Sequence, residues 1–388
     1  MFSKRVGPVV VTAALALSLA ACGGEGAGSG SSAPAEGGGS SDSEEGGTIG
    51  VSMPTQTSER WIADGASVQE GLEEQGFEVD LQFANDDIPT QSQQIDQMIT
   101  AEVDALIIAA IDGTALSAQL QNAADAGIPV ISYDRLIRDT ENVDFYVTFD
   151  NEEVGRQQAT SLLQGLGVLD EAGERAADVK GPLNVELFAG SLDDNNALFF
   201  WSGAMEVLQP LIDDGTLVVK SGQTDIEQAA ILRWQQETAQ KRMEDLLTSA
   251  YSDGSKVDGV LSPYDGLSRG IITALQNQGY GGADQPMPII SGQDAEIASV
   301  KLIKDGVQYS TIFKDTRKLA EQAIIASQAF LDGEEPEAND TETYDNGVKV
   351  VPSFLLESEI VTADNVEPVL VESGYWTAEE VEAGQAAG

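Results

Sequence analysis

The sequence predicts an α/β protein built from two doubly wound parallel-sheet lobes. Three observations carry this. Short, almost wholly apolar runs such as VDALIIAA at 103–110 have the composition of strands buried on both faces. Amphipathic segments separate these runs, with loops too short for anything but strand-helix alternation. The pattern also occurs in two successive sets within 388 residues, too long a chain for one typical domain.

The elements follow in order. Residues 48–53 (TIGVSM) read as the first strand, stopped by Pro54. Ser58 can cap a helix to about residue 75, ended by Gly76. Strand 77–83, helix 90–101, strand 103–110 and helix 114–126 come next, the last closed by Gly127. IPVISYDRLI at 128–137 is then a buried strand that stops at an aromatic, an acid and a base. Strand 145–149 and a helix from 150 to 166 lead into a polar insertion at 167–181. The second set holds strands at 183–189, 217–220, 257–261 and 287–290, with helices from 195, 235 and 266. Strand 307–313, helix 316–331 and a strand at 348–351 closed by Pro352 come last. They are too few for a third domain, so they are expected to cross back and complete the lobes. The expected division is 48–150 plus 293–345 for the N-terminal lobe and 151–292 plus 346–376 for the C-terminal lobe. An acidic, frayed tail is expected at 377–388.

Composition excludes several functions. The formal charge is -45, from 65 acids and 20 bases, which opposes binding to nucleic acid or to anionic lipid through a basic patch. There is no histidine, so no Ser-His-Asp triad, His ligand or His base exists. The one cysteine, Cys22, excludes an internal disulfide and a thiolate metal cluster. It follows Lys4, Arg5, a 13-residue apolar run at 9–21 and the sequence Leu19-Ala20-Ala21. This reads as a lipoprotein signal peptide over 1–21 with lipidation at Cys22. Of residues 23–47, 16 are Gly or Ser, so 22–47 reads as a lipid-anchored tether and not as fold. The protein is therefore expected on the extracytoplasmic face of the cell membrane, held there by its lipid alone.

Strand ends place the chemistry. Asp134 and Arg135 follow the buried strand 130–133, and in open α/β sheets the carboxyl edge is where ligands bind. An acceptor beside a fork of donors suits neighbouring hydroxyls. The same design recurs at Arg60-Trp61, Asp112, Asp193-Asp194-Asn195-Asn196, Tyr264-Asp265, Gln293-Asp294 and Lys314. Asp265 precedes a glycine and reads equally well as a helix cap. Polar groups after nearly every strand of both lobes predict an interlobe cleft for a neutral polar ligand. Trp61 and Trp234, one from each lobe, are of the type that packs on the C–H faces of a pyranose.

Together PVISYDRLI, GSLDDNNA, VLSPYDGLS, SGQDAE and STIFKDT resemble the periplasmic sugar-binding proteins of transport systems. The likeness is greatest to the multiple-monosaccharide-binding group of the ChvE type, and smaller to the xylose- and ribose-binding proteins. It extends over about residues 48–375. The resemblance implies a sugar held between two lobes joined by a three-segment hinge. It implies sugar contacts at Arg60, Asp134, Arg135, Asp194, Asn196, Asp294 and Lys314, with Trp234 stacking, and an aromatic role for Trp61. Tyr264 stands where the xylose-binding protein has Asn, and the calcium loop of the galactose/glucose-binding relatives is not visible.

The implied function is a monosaccharide receptor for a membrane permease of the ABC type. No phosphate loop is present, so a separate ATPase must drive transport. A receptor presenting sugar to a membrane sensor kinase is the alternative. A glycosidase using Asp193 and Asp194 is disfavoured, because adjacent carboxylates seldom flank one bond. A transcription regulator would need a basic helix-turn-helix, where this chain has an acidic tether. No enzyme activity, cofactor or metal is expected.

Overall fold

The computed structural model describes residues 46–387. The expected signal peptide, Cys22 and most of the tether lie outside the described residues. No helix among the described residues is long and apolar enough to cross a membrane.

The first sheet has six strands in the order β11-β5-β4-β3-β1-β2. Its strands are β1 (Thr48–Met53), β2 (Glu78–Phe83), β3 (Ala105–Ile108), β4 (Val130–Tyr133), β5 (Phe145–Phe149) and the late β11 (Ser353–Leu356). All neighbours are parallel. Helices α1 (Glu59–Glu74), α2 (Ile88–Thr100) and α3 (Ser117–Ala126) connect the early strands, so their carboxyl ends share one edge. Every residue of β3 and β4 is buried, as strands covered on both faces require. Full burial of a side chain such as Ile107 or Ile131 contributes about 1.5–3 kcal/mol. Gly127, at φ 75, closes α3 in the left-handed region where glycine has no Cβ penalty.

The second sheet has the order β7-β6-β8-β9, also parallel. It comprises β6 (Leu183–Leu187), β7 (Leu217–Val219), β8 (Gly259–Leu261) and β9 (Ile289–Ile290). Its helices are α4 (Asn151–Gly165), α5 (Asn196–Asp213), the short α6 (Ile226–Ala229), α7 (Gln236–Ser249) and α8 (Asp265–Asn277). Asp150 caps α4 by accepting from Glu153 N at 2.9 Å, at the point where the chain enters this lobe.

After β9 come α9 (Ile297–Lys304), β10 (Ser310–Phe313) and α10 (Thr316–Leu331). Beyond β11 lie β12 (Glu359–Thr362) and α11 (Ala378–Ala383). Strands β10 and β12 pair antiparallel as a separate two-stranded sheet. The chain crosses between lobes three times, at 149–151, 313–316 and 356–359.

These crossings correct the expected division. Residues 293–313 pack with the second lobe: Ser310 Oγ donates to Ser161 of α4 at 2.8 Å, and α9 lies beside α8. Helix α10 returns to the first lobe, against α1. The late strand is Ser353–Leu356, beyond Pro352 and not before it, and it extends the first sheet beside β5. Pairing that joins residues about 200 apart leaves no local sequence signal. The tail also differs from expectation. Thr377 and Glu380 form a capping box, and Val381 is fully buried in a cluster with Ile297, Val300, Val361 and Leu370.

Val381→Ala removes two buried methyl groups and should cost about 1.5 kcal/mol. A thermal melt should fall by about 2–4 °C; an unchanged melt would mean that α11 adds nothing to the folded body.

Candidate ligand-binding cleft

A cavity of about 430 Å³ lies between the lobes, within the range of small-molecule sites. Its walls come from four places where chain geometry is fixed by local chemistry.

The first is the entry to α1. Ser58 stands at the N-cap with extended backbone, as expected, but its hydroxyl makes no cap bond. It donates instead to Glu296 Oε1 at 3.1 Å. Arg60 and Trp61 follow in the first turn, at the mouth of β1.

The second is the end of β4. Asp134 has φ 58, in the left-handed region that few non-glycine residues adopt. Its carbonyl is held by Tyr146 OH (2.6 Å), Thr148 Oγ1 (3.0 Å) and Asn196 Nδ2 (2.8 Å). Three donors on one carbonyl keep the turn in place and aim the carboxylate into the cleft.

The third is the pair of loops bordering β10. Asp294, at φ 88, is anchored by its N–H to Ile312 O at 2.9 Å, and Lys314 leaves the end of β10 with 1% exposure. The fourth is the second lobe's wall, made of Asp194 and Asn196 at the start of α5, Phe200 one turn on, and the turn Arg233-Trp234. Gly190 makes room for the indole, since a Cβ there would lie 2.0 Å from Trp234.

Within this shell the charges pair closely. Arg60 reaches Asp134 at 2.5 Å through Nη2, Asp64 at 3.0 Å through Nε and Asp294 at 3.6 Å through Nη1. Lys314 Nζ lies 3.0 Å from Asp294 and 4.0 Å from Asp134. Burial alone would raise the Asp134 pKa, but the Arg60 guanidinium and then the Lys314 ammonium outweigh it and hold the carboxyl below its usual range. Asp64 has no exposure and also accepts from Tyr133 OH. Burial pushes its pKa up to about 6 against the pull of Arg60. Arg135 contacts Asp194 across the lobes at 3.1 Å, an ion contact in which the Nε–H is not aligned on the carboxylate. Burial raises the Asp194 pKa more than Arg135 lowers it. The guanidinium carbons of Arg60 and Arg135 lie 4.7 and 4.9 Å from the Trp61 ring centre.

Nine of the eleven expected ligand residues thus line one cavity: Arg60, Trp61, Asp134, Arg135, Asp194, Asn196, Trp234, Asp294 and Lys314. Two do not. Asp112 turns back on its own loop, accepting from Thr114 N at 2.8 Å and Thr114 Oγ1 at 2.7 Å. Asp265 is fully buried behind the cavity, where it accepts from Glu296 N, Gln308 Nε2 and Thr311 Oγ1. Burial raises its pKa well above the usual range, so its work is to join α8 to the residues around α9 and β10. Tyr264, one of the expected strand-end groups, also lines the cavity, as do Phe200, Arg233 and Asp86, at which no ligand contact was expected. The Tyr264 hydroxyl is bonded to Glu296 (2.7 Å) and Ser58 (3.1 Å), so this side chain presents its ring to the cleft. Phe200 sits in an apolar helix turn that reads as core, and Arg233 follows no strand.

The wall as a whole pairs donors with acceptors at a near-neutral interior, and aromatic rings of Trp234 and Phe200 flank it. Such a surface holds a neutral polyol by hydrogen bonds and by C–H contact.

The known proteins fit this description. Residues 49–335 match the family model described as a periplasmic binding protein domain. The multiple sugar-binding periplasmic receptor ChvE of Rhizobium radiobacter is 54% identical over 335 residues, 86% of this chain and 92% of that protein. The multiple sugar-binding periplasmic protein SbpA of Azospirillum brasilense is 51% identical, covering 85% of this chain and 90% of its own. A solved ABC transporter solute binding protein from Clostridium phytofermentans, with bound β-D-glucose, superposes with a TM-score of 0.80. It is 42% identical, over 86% of this chain and 99% of its own. The chain therefore belongs to the periplasmic binding protein family, and it is a binding protein and not an enzyme.

Proposed function

We propose that this protein captures a monosaccharide outside the cytoplasm and hands it to an ABC permease driven by a separate ATPase. Aldohexoses and aldopentoses in pyranose form are the ligand class. The single observation that carries this is the inner wall. Arg60, Asp134, Asp294 and Lys314 are almost wholly buried, mutually paired and exposed only to the cleft. A neutral polyol with adjacent hydroxyls complements such a wall, because each hydroxyl both donates and accepts. The multiple-sugar names of two relatives and the glucose in a third support the same ligand class. In this reading Cys22 carries the lipid anchor, as the run Leu19-Ala20-Ala21-Cys22 supports, and 22–47 is the tether.

Calorimetry of the soluble body against glucose, galactose, arabinose and xylose tests the binding. Asp134→Ala should weaken affinity tenfold to a few hundredfold, since charge-assisted bonds are worth about 1.5–3 kcal/mol each. A loss below threefold would place Asp134 outside recognition. Closure is the second expectation. Asp194, Asn196 and Trp234 reach the ligand from one lobe and Arg60 and Asp134 from the other, so sugar binds most tightly when the lobes approach. Small-angle scattering should show the radius of gyration fall on saturation, with Trp234→Phe removing most of any tryptophan fluorescence change. No change in radius would refute the clamp. The anchor is tested in cells: Cys22→Ser should abolish lipid labelling and membrane retention of the mature chain. Retention at mature mass would exclude the lipid.

A further inference from the structure

A second ion pair, on the second lobe, stands apart from the inner cluster; its Arg233 lines the cleft and is held by Asp193. Arg233 and Trp234 form the turn before α7, with φ of 56 and 54. Two successive non-glycine residues in the left-handed region are a strained choice, kept only where the surroundings enforce it. The enforcement is visible. Ser191 Oγ accepts from Arg233 N at 2.7 Å, and Gly190 leaves space for the indole. Arg233 Nε lies 3.2 Å from Asp193 Oδ2, with side-chain exposures of only 21% and 14%. Arg233 Nη1 is buried without a hydrogen-bond partner, and so is the neighbouring Trp234 Nε1. Buried donors are ordinarily satisfied, and Arg233 lines the cavity, so its guanidinium is a cleft group with a donor still to be filled.

We infer that Arg233, held in place by Asp193, is an outer specificity element that reads the exocyclic hydroxymethyl group of an aldohexopyranose. This rests on the monosaccharide reading above and names a specificity element within it. Arg233 supplies a donor to the exocyclic oxygen, and Asp193 positions the guanidinium. The inner cluster of Arg60, Asp134, Asp294 and Lys314 serves the contiguous ring hydroxyls along one edge of the sugar. Trp234 is the next residue to Arg233, so an indole on the ring face puts the guanidinium at the ring's periphery, where the exocyclic group projects. An aldopentopyranose ends at the ring and leaves Nη1 unpartnered. Leaving a buried polar group unpaired is what gives a site strong discrimination against the analogue lacking the hydroxyl. Arg233 therefore sets a preference for hexoses over pentoses.

The test is calorimetry with glucose, 6-deoxyglucose and xylose, which share ring hydroxyl configuration and differ only in the exocyclic group. Wild type should bind glucose at least fivefold more tightly than the other two. In Arg233→Ala the glucose affinity should fall tenfold or more while xylose falls threefold or less, so the glucose-to-xylose ratio approaches one. Asp193→Asn should lower the same ratio in the same direction. Retained xylose binding in each variant serves as the check on folding. Equal losses for all three sugars, or an unchanged ratio, would overturn the assignment while leaving monosaccharide binding intact. Absence of binding by wild type to every sugar would instead overturn the reading on which it rests.

Discussion

The structure depends on one constraint: charges taken out of water at the mouth of the first sheet must satisfy one another. Arg60, Asp64, Asp134, Asp294 and Lys314 are each at most 7% exposed. Desolvation costs several kcal/mol per ion, and pairing offsets it only with close geometry. Arg60 answers three carboxylates and Lys314 two, which is why every loop bearing one of them is fixed by backbone bonds. The left-handed backbone at Asp134 and Asp294 follows from this need to aim side chains. Removing Arg60 leaves three buried carboxylates with Lys314 alone to answer them, typically a loss of about 3–5 kcal/mol. These pairings hold the side chains of the wall in a preorganised arrangement.

The same groups tie the lobes together. Asn196 donates to the Asp134 carbonyl and accepts from Tyr146 OH at 3.0 Å. Gly113 N donates to Asp193 O at 3.1 Å, and Arg138 Nη1 to Asn195 Oδ1 at 3.3 Å. On the opposite rim Glu296 gathers Ser58, Tyr264 and Arg269. The bonds of Asn196, Gly113, Arg138 and Ser58 exist only when the lobes are apposed, so they and the ligand favour the same arrangement. Three crossing segments allow that approach while keeping each sheet intact.

Much of this was legible because strand ends are local features. The charges at Asp134, Arg135 and Asp294 stand where an apolar run stops, and parallel alternation places every such stop on one edge. The same rule misplaced Asp112 and Asp265. An Asp two residues before Thr114 closes its own turn, as Asp commonly does. Asp265 is claimed by partners 31, 43 and 46 residues away, a distance over which sequence carries no geometric signal. Arg233 was missed because its position arises from a strained turn and not from a strand. The lobe boundaries failed for a related reason, since β11 joins β5 only after the chain has built most of the second lobe.

The aromatic residues refine the picture of recognition. Trp61 and Trp234 were expected to cover opposite faces of one sugar ring. Trp61 lines the cavity but carries two guanidinium groups over its ring, so its π-surface already serves to space and orient Arg60 and Arg135. Trp234 meets Phe200 and Tyr264 edge-on, at 6.4 and 6.2 Å between ring centres and 70° and 89° between planes. The second lobe thus presents a cluster of rings beside Asp194, Asn196, Arg233 and Asp294, while the first presents Arg60, Asp134 and Arg135 braced by one ring. Rings are concentrated on one wall of the cleft, while charged and polar groups come from both. That asymmetry suits a pyranose, whose C–H groups gather on its faces and whose hydroxyls line its edge.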